Sequence, residues 1–168
     1  MLNLSSMLLP ELNIELANTR KMIEYLPEGH GEFKPHAKSS SLAQLAGHMV
    51  GLVDTIFVTL TEPLYDFSVT PPKRLLFETR EQLLAEFNTR ADKTAAAMKS
   101  VTNEAFQQTC TLAYQGKELF SGPRFTAYRL MGINHMIHHR AQVGVYLRLL
   151  DQPVPSTFGP TADESFKI

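Results

Sequence analysis

The sequence predicts an all-α protein, a four-helix bundle with long loops and a Pro-rich C-terminal tail. Three observations predict it. Apolar residues recur at three- and four-residue spacing in four separate stretches. Two of those stretches open with a Ser/Thr-x-x-Gln capping box. No convincing series of alternating strands lies between them.

The first helix is expected from about Ser6 to Tyr25, stopped by Pro27 and Gly29. The connection from Gly29 to Ser39 carries Pro35, and its His30 and His36 read as solvated loop residues. The second helix opens at the capping box Ser41-Leu42-Ala43-Gln44. Leu42, Leu45, Met49, Leu52, Val53, Ile56 and Leu60 form its broad apolar stripe, and Glu62-Pro63 ends it. A long connection from Leu64 to Glu78 holds Pro71-Pro72. The third helix starts near Thr79, with Thr79-Arg80-Glu81-Gln82 as a second capping box, and continues to about Met98.

From Val101 to Gly122 the pattern is ambiguous, and Thr109 to Tyr114 reads as an irregular extended piece. Ser121-Gly122-Pro123 is expected to open the fourth helix, with Pro near the first turn. That helix runs to about Leu150 and is stopped by Gln152-Pro153. The tail through Gly159-Pro160 is expected to lie against the bundle as a loop.

The chain has 168 residues, the size of one domain spanning 1–168. Folding at this size removes roughly two-thirds of the unfolded surface from water. Formal charge is −1, so no basic field marks a nucleic-acid binder. The single Cys110 excludes an intrachain disulfide and fits a reducing compartment. The N-terminal stretch has no basic region, and Pro10 interrupts it, so it does not read as a signal peptide. No stretch approaches 18 consecutive apolar residues, so no membrane partner is expected. The expected location is the cytoplasm.

The feature richest in chemistry is His135-Met136-Ile137-His138-His139-Arg140. Residues four apart on a helix differ by about 40° around the axis. His135 and His139 therefore point the same way, and two such imidazoles can bind one transition metal. A third imidazole from another helix would leave a coordination position open. His48, on the second helix, sits among core-facing residues with Gly51 offering space beside it. A buried histidine needs a partner for its ring nitrogens. A metal meets that need, and so does a hydrogen bond. Helical phase groups Tyr128, Gly132, His135, His139, Gln142 and Tyr146 in one aromatic and polar stripe, with Gly132 making room above His135. Tyr128, Gln142 and Thr55 are the candidates to line a pocket. Arg140 and Arg148 are expected to snorkel or pair with carboxylates.

These residues resemble the DinB/YfiT-like family of metal-dependent bundle proteins over nearly the whole chain. The resemblance is carried by Gln44-Leu45-Ala46-Gly47-His48, by His135 through Gln142, by Tyr146-Leu147-Arg148, and by Val154-Pro155 with Phe158-Gly159-Pro160. It implies a four-helix bundle, often a homodimer, with three histidines binding a divalent metal near one end. Matched position by position, it puts the ligands at His48, His135 and His139 and leaves His138 outside. It also implies relatives that act as thiol S-transferases with low-molecular-weight thiols, or that isomerise maleylpyruvate with a thiol.

The expected function is thus divalent-metal binding in a thiol S-transferase or hydrolase acting on a small molecule. The alternative is a non-catalytic stress-related or interaction protein with a structural or vacant metal site. Zinc and nickel both suit three nitrogens. A carboxylate behind the metal-binding histidines is usual, but the sequence identifies none; Asp163 or Glu164 could fold back over the site, and an exposed tail is the expected state for both.

Overall fold

Asn3 starts the first helix, α1 (Leu4–Glu24), because its side chain accepts the otherwise orphaned Ser6 N–H. In the computed structural model, which describes residues 3–69 and 79–165, Leu12, Leu16 and Ile23 turn one face of α1 into the core. The second helix, α2 (Leu42–Thr61), carries a complete capping box: Ser41 Oγ accepts from Gln44 N, and Gln44 Oε1 accepts from Ser41 N.

α2 is long and apolar enough to cross a membrane by length and composition alone, yet it sits in the core, as the sequence leads one to expect. Its mean hydropathy of 1.4 is high enough, but 72% of that apolar stretch is buried inside the protein.

The third helix, α3 (Arg80–Ser100), begins where Thr79 accepts from Gln82 N. A short α4 (Asn103–Gln107) is capped by Thr102. The C-terminal helical run begins at Arg124, as α5 (Arg124–Ala127), a π-helical turn (Tyr128–Ile133) and α6 (Asn134–Leu149) in direct succession. α1 packs on α3 and α6, and α2 packs on the same two. The four long helices thereby share one apolar cluster, with Leu12, Met49, Ile56, Phe87 and Met136 fully or almost fully buried in it.

The molecule is mostly helical, but it is not all-α. Strands β1 (Leu64–Asp66), β2 (Thr109–Tyr114) and β3 (Lys117–Pro123) form a three-stranded sheet in that order. β1 runs parallel to β2, and β2 pairs antiparallel with β3. Ser121-Gly122-Pro123 therefore ends a strand and also opens the C-terminal helical run, with Pro123 at its N-cap as expected. The hairpin turn is Gln115-Gly116, both at positive φ (52° and 72°). Gln115 tolerates that conformation because Asp66, from β1, accepts from Gln115 N and Gly116 N at 3.2 and 2.8 Å. The turn is built by a residue 49 positions away, which local sequence does not announce. Cys110 and Leu112 of β2 bury against Val58 and Ala127 in a second apolar cluster. Pro71-Pro72 fall outside the described residues.

The tail beyond α6 is held by charge. Arg148 binds Asp163 at 2.5 Å, and Glu164 takes Lys21 at 2.5 Å together with the Tyr25 hydroxyl.

Candidate metal centre

His48 projects from α2, and His135 and His139 from α6. One nitrogen from each ring lies within 4.8 Å of the others. His135 and His139 bring their Nε2 atoms to 3.0 Å. The His48 ring packs edge-on against both, with centroids 5.3 and 4.6 Å away. His48 is exposed along its outer side, where a buried, core-facing position was expected, and the other two are half-buried.

The close approach of α2 to the π-helical turn that leads into α6 depends on Gly132. A Cβ there would stand 2.9 Å from Ile56 Cγ1 and 3.4 Å from Ile56 Cα. Gly132 thus lets two helices touch and opens no room above His135. Gly51 does face open space, since an added Cβ meets nothing within 4 Å.

Hydrogen bonds behind the rings decide which nitrogens are free. His139 Nδ1 lies 2.7 Å from Gln142 Oε1. An amide oxygen only accepts, so Nδ1 carries the proton and Nε2 carries the lone pair. The His135 ring donates to the Met131 carbonyl. Its Nε2 faces His139, which leaves Nδ1 as the donor. A backbone carbonyl and an amide thus occupy the positions that a carboxylate usually takes. Asp163 and Glu164 are committed to the tail.

Electrostatics favour the neutral rings. Loss of water, followed by the like charges of His139 and His135, lowers the His48 pKa to about 4. Desolvation is also the leading cause that lowers His135 and His139. Neutral imidazoles are the form that ligates a metal.

The outcome is two lone pairs aimed at each other across 3.0 Å. That arrangement is repulsive unless a cation lies between them. Nitrogens held at 2.0–2.1 Å by a tetrahedral zinc ion are about 3.4 Å apart. The three rings therefore need movements on the order of 1 Å to share one ion. The residues fit a divalent metal.

The remaining candidates have separate fates. Tyr128 is fully buried, and its hydroxyl has no partner among the described residues. It belongs to the π-helical turn, whose wider winding breaks the phase carried back from His135. Thr55 is buried on α2. Gln142 is exposed and bound to His139. His138 is exposed, outside the three-histidine set, with its ring 4.9 Å from that of His139. Arg140 is buried in an ion pair with Glu15 at 2.7 Å and donates to the Glu15 carbonyl and Thr19 hydroxyl. It fastens α6 to α1 immediately beside His139.

Fold and site together define a mostly helical protein with a three-imidazole cluster able to hold a metal ion. The DinB family model matches residues 1–165, and the chain belongs to the DinB family. Its fold is similar to that of a DinB-like protein from Bacillus cereus ATCC 10987, at 17% identity and a TM-score of 0.72, covering 93% of this chain and 98% of the other. A DinB-like protein from Bacillus subtilis, YjoA, is similar at 17% identity and a TM-score of 0.68, covering 90% and 96% respectively. No curated protein matches the chain.

Proposed function

We propose that this four-helix-bundle protein binds a divalent metal, zinc or nickel, through His48, His135 and His139, and uses it as a thiol S-transferase or hydrolase on a small molecule. The observation that supports this most is three ring nitrogens within 4.8 Å of one another, with the two α6 Nε2 atoms 3.0 Å apart and the His139 Nδ1 taken up by Gln142. A hydrogen-bonded core histidine pair would share a proton between the rings instead.

Openness favours chemistry over stapling. Structural zinc sites close with four protein ligands. Among the described residues the cluster contains three histidines and neither cysteine nor carboxylate. Its His48 side is exposed, and Gly51 leaves free space next to it. A divalent ion held there supplies Lewis acidity, enough to make a thiol or water a nucleophile near neutral pH. Gln142 and the Met131 carbonyl keep the two α6 rings oriented. The neutral histidines leave the ion's charge uncompensated, so the site favours an anionic ligand such as a low-molecular-weight thiolate.

Cytoplasmic residence and a homodimer belong to the same proposal. Leu130, Val145 and Leu149 are 52, 58 and 54% exposed along the outer side of the C-terminal helical run, and a second copy would cover them.

The test is calorimetric titration of untagged, chelator-treated protein with zinc and nickel. A stoichiometry of one site per chain that is lost in His48→Ala supports the reading. Equal binding by wild type and His48→Ala refutes it. Turnover is then sought with thiols plus electrophiles.

A further inference from the structure

We propose that Gln142 is a positioning residue for the histidine cluster, holding His139 in the tautomer that leaves Nε2 free. The inference rests on reading that cluster as a metal site.

A neutral imidazole carries one proton, and either nitrogen can hold it. His139 has two choices in this fold. With the proton on Nδ1, it donates to Gln142 Oε1 at 2.7 Å, and Nε2 presents a lone pair. With the proton on Nε2, it donates across 3.0 Å to His135 Nε2. The second choice joins the two rings to each other and uses up both coordinating nitrogens. Gln142 therefore selects between an open cluster and a self-bonded one.

The two α6 histidines are secured differently. His135 is held by the Met131 carbonyl, which no side-chain substitution removes. His139 depends on an exposed amide one turn further along α6. Gln142 can thus be altered without touching the core. His48 has no hydrogen-bond partner outside the cluster among the described residues, so His139 is where a side chain controls the donor set.

The experiment compares wild type, Gln142→Leu and Gln142→Glu, each verified as folded by thermal melting. Zinc affinity is measured by competition with a chromophoric chelator. Nitrogen-15 NMR of the metal-free proteins assigns the His139 tautomer at mildly alkaline pH. Loss of an outer hydrogen bond to a metal-binding histidine typically costs 10–100-fold in affinity, so Gln142→Leu is expected to weaken zinc binding by about that factor. Its His139 proton moves to Nε2. Gln142→Glu, whose carboxylate accepts the same bond, is expected to restore both the affinity and the Nδ1–H signature. The inference is overturned if Gln142→Leu keeps the wild-type tautomer, or binds zinc as tightly as wild type. Should wild type bind no zinc, the metal reading fails, and the tautomer comparison alone decides the role of Gln142.

Discussion

Replacing Gly132 with alanine tests whether helix contact places the histidines. The new methyl would stand 2.9 Å from Ile56 Cγ1 and 3.4 Å from Ile56 Cα, against an ordinary carbon separation of about 3.5–4.0 Å. Ile56 is fully buried, and its β-branched side chain has one strongly preferred rotamer in a helix, so rotation offers little relief. The Ile56 Cα can move only with α2. The helices must therefore part by roughly 0.5 Å or more, at the ~1–3 kcal/mol typical of overpacking. Alanine returns up to ~1 kcal/mol of helix propensity. The net loss is about 0–2 kcal/mol, worth up to ~8 °C in Tm for a chain of this size. The same displacement moves His48 away from His135 and His139, so metal affinity falls with it. Gly51→Ala is the control. It meets nothing within 4 Å and is expected to raise the Tm of the metal-free protein by up to ~4 °C, from up to ~1 kcal/mol of propensity. Thermal denaturation followed by circular dichroism, with and without zinc, reads both. A Gly132→Ala protein more stable than wild type with unchanged zinc affinity refutes the reasoning.

Other consequences follow from charges and exposed side chains. Glu15→Ala strands Arg140 in the core and should cost about 3 kcal/mol in urea unfolding, the low end for a broken buried pair, because the Glu15 carbonyl and Thr19 hydroxyl still accept from Arg140; no change in midpoint would contradict this. The Glu164 pKa is depressed to about 2, chiefly by Lys21 and then by Tyr25. A depressed carboxylate contributes stability above its unfolded pKa of about 4.3, and loses it as pH falls through its folded value. Wild type should therefore be more resistant than Glu164→Gln at pH 6, with the gap narrowing between about pH 4 and 2; a gap that widens on acidification would show the sign to be wrong. Val145→Asp places a charge on the exposed part of α6 and is expected to convert the proposed homodimer to monomer in sedimentation, while a dimer that survives moves the interface elsewhere.

Sequence legibility tracked how local each interaction is. Ser41 and Thr79 each cap a helix through a residue three positions on, so spacing alone revealed both helix starts. His135 and His139 lie one turn apart, and their shared direction was equally readable. Of the hairpin, the extended Thr109–Tyr114 strand was readable but its turn was not, because Asp66 supports it across 49 positions. Tyr128 lies fully buried in the π-helical turn, a change of winding that a uniform helical phase does not anticipate. Gly132 reads as free space in the sequence because Ile56, which packs against it, comes from another helix. The exposure of His48 follows from how α2 meets α6, a tertiary property with no sequence signature. The Met131 carbonyl behind His135 is backbone, invisible to any search for a carboxylate.

Anomalous X-ray diffraction from untagged crystals, recorded across the zinc and nickel absorption edges, addresses the three-histidine centre most directly. A single peak is expected at ~2.0–2.2 Å from Nε2 of His135, Nε2 of His139 and one His48 nitrogen. Crystals grown with added metal that show no peak there, with His135 and His139 hydrogen-bonded to each other, would contradict it.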